Sequence, residues 1–314
     1  MLNVRLVNAG VNHVYAGEDT TGSVYVRFTH ARLRDEAFLS PPVAYLRHAF
    51  ERGAPVNAPL PSVAGAFVEV VRQGPDVFLA SAVRGVPGVR LSAVPPTPEG
   101  YRAFGRALGE LHAATRDFRP ARGTPHMLEP SLPGVFPTWR WFWSRARADA
   151  ARDPVIGAAF EALTPFVHAV GGLPTSWPDA PELPGGWGLT HGDARPGNAL
   201  WHAGRVALID FDEPVHGPLA NDLARALLDL PPHTWRTLRG PLLDGYRSFA
   251  PLTEAWAARL PRLMAARTAL MAAWGLEGGE GSGGASGSGA VVSVRALRAR
   301  LSSGEFGPLG DPSF

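Results

Sequence analysis

The sequence predicts an α+β protein with a small antiparallel-sheet lobe followed by a larger and mostly helical lobe. Residues 1–83 are rich in short strand-like runs, among which Val24–Phe28 alternates well enough to form a strand. Residues 89–276 instead carry apolar side chains at helical spacing. With 314 residues, the chain is long enough to build two lobes rather than one compact unit.

The first lobe is predicted to contain a hairpin and one helix. The segments Val68–Arg72 and Val77–Ala80 are typical of strands, and the Gly-Pro-Asp sequence between them favours a turn. Between the strand at Val24–Phe28 and this hairpin we expect a helix that begins at Ser40 and ends at Gly53. Ser40 would cap this helix, and the two prolines that follow it suit a first helical turn.

The second lobe is predicted to begin its main helices with a similar signal. Thr97, followed by proline and glutamate, indicates the start of a helix with apolar residues on one face. Further helices are expected at residues 218–230 and 253–276. Trp139, Trp141 and Trp143 alternate in a proline-rich region, and we interpret their rings as packing in the core or a lid, with a substrate platform as the alternative.

Three segments of the chain lie outside the two predicted lobes. Residues 84–88 are interpreted as the connector between the lobes. Residues 277–290 are almost entirely glycine and serine, which predicts a flexible linker. Residues 291–314 form a C-terminal tail with a short basic amphipathic helix, which could contact a membrane or partner, dock back on the large lobe, or fray.

The composition excludes several classes of function. The chain contains no cysteine, which excludes disulfides, thiolate metal sites and thiol nucleophiles. It contains no lysine either, and its net charge of +2 comes from arginines interleaved with acidic residues, so we expect no nucleic-acid partner. We expect no transmembrane segment, because no apolar run approaches about 20 residues. The start of the chain lacks a signal-peptide pattern, and a cytoplasmic location is therefore expected.

One cluster of polar residues has the spacing needed for phosphoryl transfer. Asp193 ends a His-Gly-Asp sequence, Asn198 follows five residues later, and Asp210 ends an apolar run. A carboxylate in a tight loop can accept the proton of an attacking hydroxyl, which makes Asp193 the candidate general base. Asn198 and Asp210 can hold Mg²⁺ on the phosphates of ATP through their oxygens. Asp212 could add a metal contact or be a solvated loop carboxylate.

The histidine of the same sequence, His191, is interpreted as an organiser of the loop. It would bond to the backbone or to Asp210 rather than act as an acid or base.

The order of these motifs resembles the aminoglycoside phosphotransferase-like superfamily, which includes choline, homoserine and fructosamine kinases and bacterial stress-response protein kinases. The resemblance covers residues 3–276 and rests on four segments: Leu108–Ala113, His191–Asn198, Ile209–Asp212 and Gly217–Ala224. It implies a bilobal protein-kinase-like fold that uses ATP and Mg²⁺. It also implies that Asp222 is a buried structural carboxylate that braces the catalytic loop.

The same resemblance assigns residues of the small lobe to the nucleotide. Gly10–Tyr15 resembles the turn that covers the phosphates, which places the backbone of Asn12 and His13 near them. Arg27 corresponds to the basic residue that clamps the α- and β-phosphates. In a lysine-free chain, arginine is the only permanent cation available for that role.

Two further nucleotide contacts are implied, of which one departs from the family pattern. The helical glutamate that pairs with the clamp would be Glu36, although Pro41 and Pro42 interrupt the region where its helix would run. The adenine would lie under the strand at Val77–Val83, and the backbone from Ser81 to Val83 would read the base.

Arg195 is a second departure from the pattern of the family. Many members have histidine two residues after the base, whereas protein kinases have a cation that touches the γ-phosphate. Arg195 therefore either stabilises charge on the transferred phosphoryl group or is one more surface arginine.

The acceptor is predicted to be a hydroxyl of a small-molecule metabolite. Residues 241–314 contain six acidic residues against seven arginines, which argues against a polycationic antibiotic, although Asp179, Glu182 and Glu213 could contribute acidity locally. The tryptophans could suit a choline-like cation or a sugar. Two alternatives stay open: a protein Ser/Thr kinase of the stress-response type, and a nucleotide-binding pseudokinase that acts as a scaffold through its tail.

Overall fold

The computed structural model describes residues 2–10, 12–121, 138–171, 186–277 and 293–309, and the predicted linker lies outside them except for its first residue, Glu277. The first lobe contains an antiparallel sheet of six strands: β1 (Leu2–Ala9), β2 (Asn12–Asp19), β3 (Gly22–His30), β4 (Pro59–Leu60), β5 (Glu69–Gln73) and β6 (Asp76–Arg84). Their order in the sheet is β1-β2-β3-β6-β4, and β5 also pairs with β6. The predicted hairpin is confirmed as β5 and β6, which turn between Gln73 and Asp76.

The one helix of this sheet lobe, α1 (Glu36–Glu51), begins four residues earlier than predicted. Its cap is Asp35, whose side chain accepts a hydrogen bond from the backbone N–H of Phe38, so the assignment of Ser40 as the cap was wrong. Pro41 and Pro42 lie inside the helix, close to its start. Each proline removes one backbone hydrogen bond there, but the helix continues because its apolar face is buried against the rest of the protein.

The second lobe is mostly helical, which confirms the predicted α+β class. Its helices are α2 (Pro98–Ala114), α3 (Thr138–Ala150), α4 (Pro154–Gly171), α5 (Ala220–Leu228), α6 (Pro232–Arg247), α7 (Glu254–Glu277) and α8 (Val294–Ser302). Short strands interrupt them: β7 (Val89–Arg90), β8 (Trp187–Thr190), β9 (Ala199–His202), β10 (Arg205–Leu208) and β11 (Val215–Pro218). Among the helices described, none combines the length and apolarity that a bilayer span requires.

The helix starts in this lobe follow the sequence signals closely. The Thr97 side chain accepts a hydrogen bond from the backbone N–H of Gly100 at 3.1 Å, which confirms Thr97 as the cap of α2. The helix predicted from residue 218 begins instead at Ala220, because Pro218 still pairs with Trp187 in the β8–β11 ladder.

Trp143 confirms the core interpretation for one of the three alternating tryptophans. Its ring is 2% exposed and stacks on Phe160 with the ring centroids 4.1 Å apart. Its indole N–H donates to the Thr164 hydroxyl at 3.0 Å, so the polar atom of the ring is satisfied. The side chains of Trp139 and Trp141 lie outside the described residues.

The C-terminal tail docks on the helical lobe, as one of the alternatives held. Helix α8 packs against α7 and α4, and Leu297 and Leu301 are buried in that contact. Arg300 donates to the backbone carbonyl of Leu228 and pairs with the buried Glu305. The apolar face of the amphipathic helix is therefore covered by this same chain.

Helices α2 and α6 approach each other so closely that only glycine fits at their contact. A Cβ atom on Gly105 would lie 1.9 Å from the backbone oxygen of Leu242, and one on Gly245 would lie 1.9 Å from that of Arg102. Because neither obstacle is a flexible side chain, the two helices would have to separate to admit a methyl group.

Gly105→Ala is therefore expected to lower the free energy of unfolding by about 3 kcal/mol. Gly240→Ala is the matched control, because Gly240 lies in α6 with no atom within 4 Å of its added Cβ. That change should leave stability unchanged or raise it by about 0.5–1 kcal/mol. Urea unfolding of both variants measures the difference, and equal midpoints would contradict the close-contact argument.

Candidate active site

The loop after β8 is held by one buried carboxylate. Asp222, in the first turn of α5, is 1% exposed. Its oxygens accept hydrogen bonds from the backbone N–H groups of His191 at 2.6 Å and Gly192 at 3.1 Å. His112 lies 3.0 Å from the same carboxylate and contacts the Tyr246 hydroxyl through its other ring nitrogen. The predicted bracing role of Asp222 is confirmed, and it ties the loop to α2, α5 and α6.

His191 organises the loop through both ring nitrogens. Its Nε2 lies 3.0 Å from the carbonyl oxygen of Ile209, and its Nδ1 accepts from the backbone N–H of Asp193 at 3.3 Å. A carbonyl can only accept, so Nε2 carries the proton and Nδ1 is bare. The ring is thus committed to the backbone, which confirms the structural interpretation of His191.

Gly192 permits the sharp turn that follows. Its φ of +83° lies in the left-handed region, and an added Cβ would come within 1.6 Å of the Glu213 carbonyl oxygen. Only glycine satisfies both conditions, and the turn presents Asp193 beyond it.

Asp193 is surrounded by donors and cations. Its Oδ2 accepts from the side-chain amide of Asn198 at 3.0 Å, and its Oδ1 accepts from Arg225 Nε at 2.8 Å. Arg195 Nε lies 3.3 Å from Oδ2. Burial alone would raise the pKa of Asp193, but the charges of Arg225, Arg267 and Arg195 outweigh it and lower the pKa to about 2. Asp193 is therefore ionised throughout the physiological range.

Arg225 is a site residue that the sequence analysis missed. It is 7% exposed and bridges Asp193 to Asp229, with its Nη1 2.9 Å from the Asp229 carboxylate. Both carboxylates raise the pKa of Arg225 despite its burial. The available signal was helical spacing, because Arg225 lies three residues after Asp222 and four before Asp229 on the same helix face.

Replacing Arg225 with Gln is expected to raise the pKa of Asp193 by about one to three units, because burial then favours the neutral carboxyl. The pH below which kcat/KM falls should rise with this pKa, since only ionised Asp193 can accept a proton. Arg225→Lys keeps the charge and should leave the profile close to that of the unaltered protein. ADP release measured from about pH 3.5 to 8 tests this expectation.

If the Arg225→Gln variant and the unaltered protein gave the same pH profile, Arg225 would not govern the ionisation of Asp193.

The low pKa of Asp193 also predicts that the stability of the fold depends on pH. The pKa of Asp193 is about 2 in the folded state against an ordinary 3.8. Its ionised form therefore stabilises the fold above about pH 4, and that contribution is lost as the pH falls through about 2.

Two further carboxylates face the sheet lobe after β10. Asp210 has a φ of +71°, a left-handed conformation that is strained for a residue other than glycine. Arg27 on β3 pairs with both carboxylates: its Nη2 lies 3.1 Å from Asp210 Oδ1, and its Nη1 contacts Asp212 Oδ1. Arg34 lies 3.9 Å from the other oxygen of Asp212. The structure thus brings the predicted clamp together with two of the three predicted metal ligands, Asp210 and Asp212.

Asn12 reaches the same group through its side chain. Its amide Nδ2 donates to Asp212 Oδ2 at 2.6 Å, and its Oδ1 accepts from the Thr29 hydroxyl at 2.6 Å. The prediction had placed only the backbone of Asn12 at the site. His13 is exposed on β2, where it lies opposite Phe28 in the ladder with β3.

Three predicted contacts are not brought to the site in the predicted way. Glu36 is exposed in the first turn of α1, and within the part of the chain described here no ion pair joins it to Arg27. Ser81 and Val83 lie inside β6, opposite Arg27 and Tyr25 of β3, and Val83 is also opposite Pro59 of β4.

Val83 therefore has ladder partners on both edges of β6, whereas Ser81 has one on the β3 edge, and their contact with the adenine stays a prediction. The backbone of Arg84 is also engaged, because its N–H donates to the Ala58 carbonyl, and that of Gly85 donates to Ser23. The chain leaves the sheet only after Gly85, which moves any free backbone toward residues 86–88.

The oxygens near Arg27 suit Mg²⁺ bound together with phosphates. The described residues contain no group of three or more His, Cys, Asp or Glu side chains arranged around one metal position. Mg²⁺ does not need such a group, because one or two carboxylates with phosphate and water oxygens complete its shell. Asp210, Asp212 and the Asn198 amide supply ligands of the right chemistry, and Asn198 is held in place by Asp193.

Arg195 is not a surface residue. It is 9% exposed, and it precedes the short 3₁₀ turn Pro196–Asn198 that carries the Asn198 amide. The alternative that it is one more surface arginine is therefore wrong. Its charge is directed at the carboxylate of Asp193.

The sheet lobe, the helical lobe and the loop between them define a protein-kinase-like fold with a phosphotransferase type of site. The chain belongs to the phosphotransferase enzyme family (APH), whose profile matches residues 3–261. This confirms the resemblance seen in the motifs.

Among curated relatives, the amicoumacin kinase of Bacillus subtilis (strain 168) is 23% identical over 231 residues, which cover 72% of this chain and 63% of the relative. The homoserine kinase of Methylobacterium radiotolerans is 28% identical over 269 residues, which cover 84% of this chain and 76% of the relative. A solved amicoumacin kinase in complex with AMP-PNP, Ca²⁺ and Ami superposes with a TM-score of 0.74 at 19% identity, covering 98% of this chain and 89% of that one.

Proposed function

We propose that the protein transfers the γ-phosphoryl group of ATP, in the presence of Mg²⁺, to a hydroxyl group of a small molecule. The observation that carries this proposal is that Asn198 connects two groups of carboxylates, because its side chain contacts Asp193 and its backbone carbonyl accepts from the N–H of Ile209, next to Asp210. Asp193 lies on one side, within hydrogen-bond distance of the Asn198 amide. Asp210 and Asp212 lie with Arg27 at the foot of the sheet lobe. The kinase names of the relatives support the same class of reaction.

Asp193 would orient the acceptor hydroxyl and take its proton late in the reaction. A carboxylate with a pKa of about 2 is a weak base, so it cannot generate an alkoxide before transfer. Phosphoryl transfer proceeds through a loose transition state that needs little activation of the nucleophile. The hydroxyl becomes acidic as its bond to phosphorus forms, and Asp193 can then accept the proton.

Arg27 and Asn12 would act on the nucleotide side. Arg27 is the cation that can pair with the phosphates, while Asn12 holds Asp212 in place. Mg²⁺, held by Asp210 with Asn198 and Asp212, would neutralise charge on the β- and γ-phosphates. Asn198 links the two halves, because its amide nitrogen is committed to Asp193 and its oxygen is the atom suited to a metal.

We further propose that Arg195 stabilises charge on the transferred phosphoryl group. Its burial beside Asp193 strengthens any such interaction. Arg195→Gln is expected to lower kcat by about 10²-fold with little change in ATP affinity. The matched control is Arg90→Gln, because Arg90 donates to the Gly197 carbonyl of the same turn but makes no pair with Asp193. An unchanged kcat in Arg195→Gln would refute this role.

The deciding experiment is Mg²⁺-dependent ADP release from ATP with pooled small-molecule alcohols and, separately, with a generic protein acceptor. Stimulation by a small-molecule pool, lost in Asp210→Asn, would support the proposal. Stimulation by the protein alone would favour the protein-kinase alternative. ATP binding without turnover on any acceptor would favour the scaffold alternative.

A further inference from the structure

Three arginines surround Asp193 on the side of the helical lobe. Arg195 precedes the Asn198 turn, Arg225 belongs to α5 and Arg267 belongs to α7. All three act electrostatically on Asp193. Helix α7 packs on α3, α4, α5 and α8, so Arg267 belongs to the helical lobe, whereas Arg27 belongs to the sheet.

Two of these arginines already have anionic partners. Arg225 is shared between Asp193 and Asp229, and Arg195 lies beside Asp193. Asp222 cannot serve as a partner for the third, because its oxygens accept from the loop N–H groups and contact His112.

Arg267 has no such partner within the described ranges. Its Nε is buried without a hydrogen bond to any described residue, and no carboxylate of those residues lies within ion-pair distance of its guanidinium. Burial and the neighbouring charge of Arg225 lower its pKa, whereas Asp193, Glu213 and Asp222 oppose that effect from a distance. Arg267 as a whole is half-buried, so part of its side chain remains accessible to an anion that does not belong to the chain, and partial exclusion of water strengthens such a pair.

We propose that the acceptor carries an anionic group and that Arg267 binds it while Asp193 faces the acceptor hydroxyl. This inference rests on the proposed kinase function and names the class of its substrate. A carboxylate or a phosphate matches the planar donor fork of arginine. A polycation or a quaternary ammonium offers no group that the guanidinium of Arg267 could bind. The acceptor is thus an acidic alcohol, such as a hydroxy acid or a phosphorylated alcohol.

The test compares acceptors with and without an anionic group. The probes are glycerate, glycerol 3-phosphate and glycerol; L-homoserine with its carboxamide, which lacks the carboxylate; and choline with an aminoglycoside as cationic acceptors. ADP release with each gives kcat/KM. We expect the member that carries the carboxylate or phosphate to exceed its counterpart without that group by about 30-fold in at least one set. The glycerate and glycerol 3-phosphate arms distinguish a carboxylate site from a phosphate site.

The assignment to Arg267 is tested with a matched pair in one helix. Arg259 lies eight residues earlier in α7, is also partly buried, and has an Nη1 without a hydrogen bond among described residues. It stacks over Trp256, and burial is the cause that lowers its pKa, so Asp193 does not act on it. Arg267→Gln should raise KM for the anionic acceptor by about 30-fold, raise KM for the neutral acceptor far less and leave ATP affinity intact. Arg259→Gln should preserve the preference.

Arg267→Lys, which retains the charge, covers the case in which the Gln variant fails to fold, and it should keep a weakened preference for the anion. Preferred turnover of neutral or cationic acceptors that still depends on Asp193 would overturn this inference and leave the kinase function standing. Equal behaviour of the two Gln variants would overturn the role of Arg267. Turnover of no acceptor at all would reject the kinase function and this inference with it.

Discussion

Asp193→Asn is expected to lower kcat by about 10³-fold while changing the Kd for ATP by no more than about twofold. The amide cannot accept the proton that the acceptor hydroxyl loses, so the loss falls on the chemical step. Asparagine keeps an oxygen that can still accept from Arg225 Nε and nearly the same volume, so the loop should keep its shape. Because Arg27 and Asp210, rather than Asp193, are the residues proposed to hold the nucleotide and its metal, ATP affinity should survive.

Single-turnover phosphoryl transfer and nucleotide titration, measured on the same preparation, separate the two quantities. Asp244→Asn is the control, because Asp244 is an exposed carboxylate of α6 that lies 3.8 Å from Arg102, away from the loop. Its kcat should match that of the unaltered protein. If ATP affinity collapsed in Asp193→Asn, the carboxylate would have a structural role and the assignment as base would be wrong.

Asp222→Ala is expected to lower the free energy of unfolding by about 3–5 kcal/mol and to abolish turnover. The change leaves the N–H groups of His191 and Gly192 without their acceptor and His112 without its carboxylate, all in the interior. Each buried polar group left without a partner costs about 1–3 kcal/mol. The loop that presents Asp193 would then lose its anchor to α5.

Urea unfolding and ADP release measure both effects, with Asp244→Asn again as the exposed control. His112→Gln provides an intermediate case. It removes only one of the three contacts of Asp222, so its loss of stability should be smaller. A stability for Asp222→Ala within about 1 kcal/mol of the unaltered protein would show that the buried carboxylate does not brace the loop.

The parts of the site that lie close together in the chain were predictable from residue types and spacing. Asp193 and Asn198 are five residues apart in one loop, and their side chains meet at 3.0 Å. The interpretation of His191 as an organiser followed from its place beside the glycine turn. Asp222 was assigned as the brace from its motif, and the structure confirms it 31 residues further along the chain.

Other predictions failed because they treated a local signal as decisive. The prolines at 41 and 42 suggested that α1 starts there, but Asp35 supplies an earlier cap, and the buried face of the helix compensates for the lost hydrogen bonds. Strand pairing on both edges of β6 places Val83 inside the sheet, which the strand pattern did not indicate, and the adenine contact expected of Ser81 and Val83 stays a prediction. The residue pattern of one strand does not reveal which edges of that strand pair with neighbouring strands.

The sequence by itself determined the α+β class and the phosphotransferase family, and it supplied the three side chains proposed as metal ligands, because residue types and motifs carry that information. Only the tertiary structure decided the electrostatics of Asp193. Arg225 and Arg267 approach it from helices that lie 32 and 74 residues further along the chain, and their charges hold the carboxylate ionised. Arg27 likewise meets Asp210 across 183 residues. Charge acts through space rather than along the chain, so these pairings become visible only when the helices and strands are packed together.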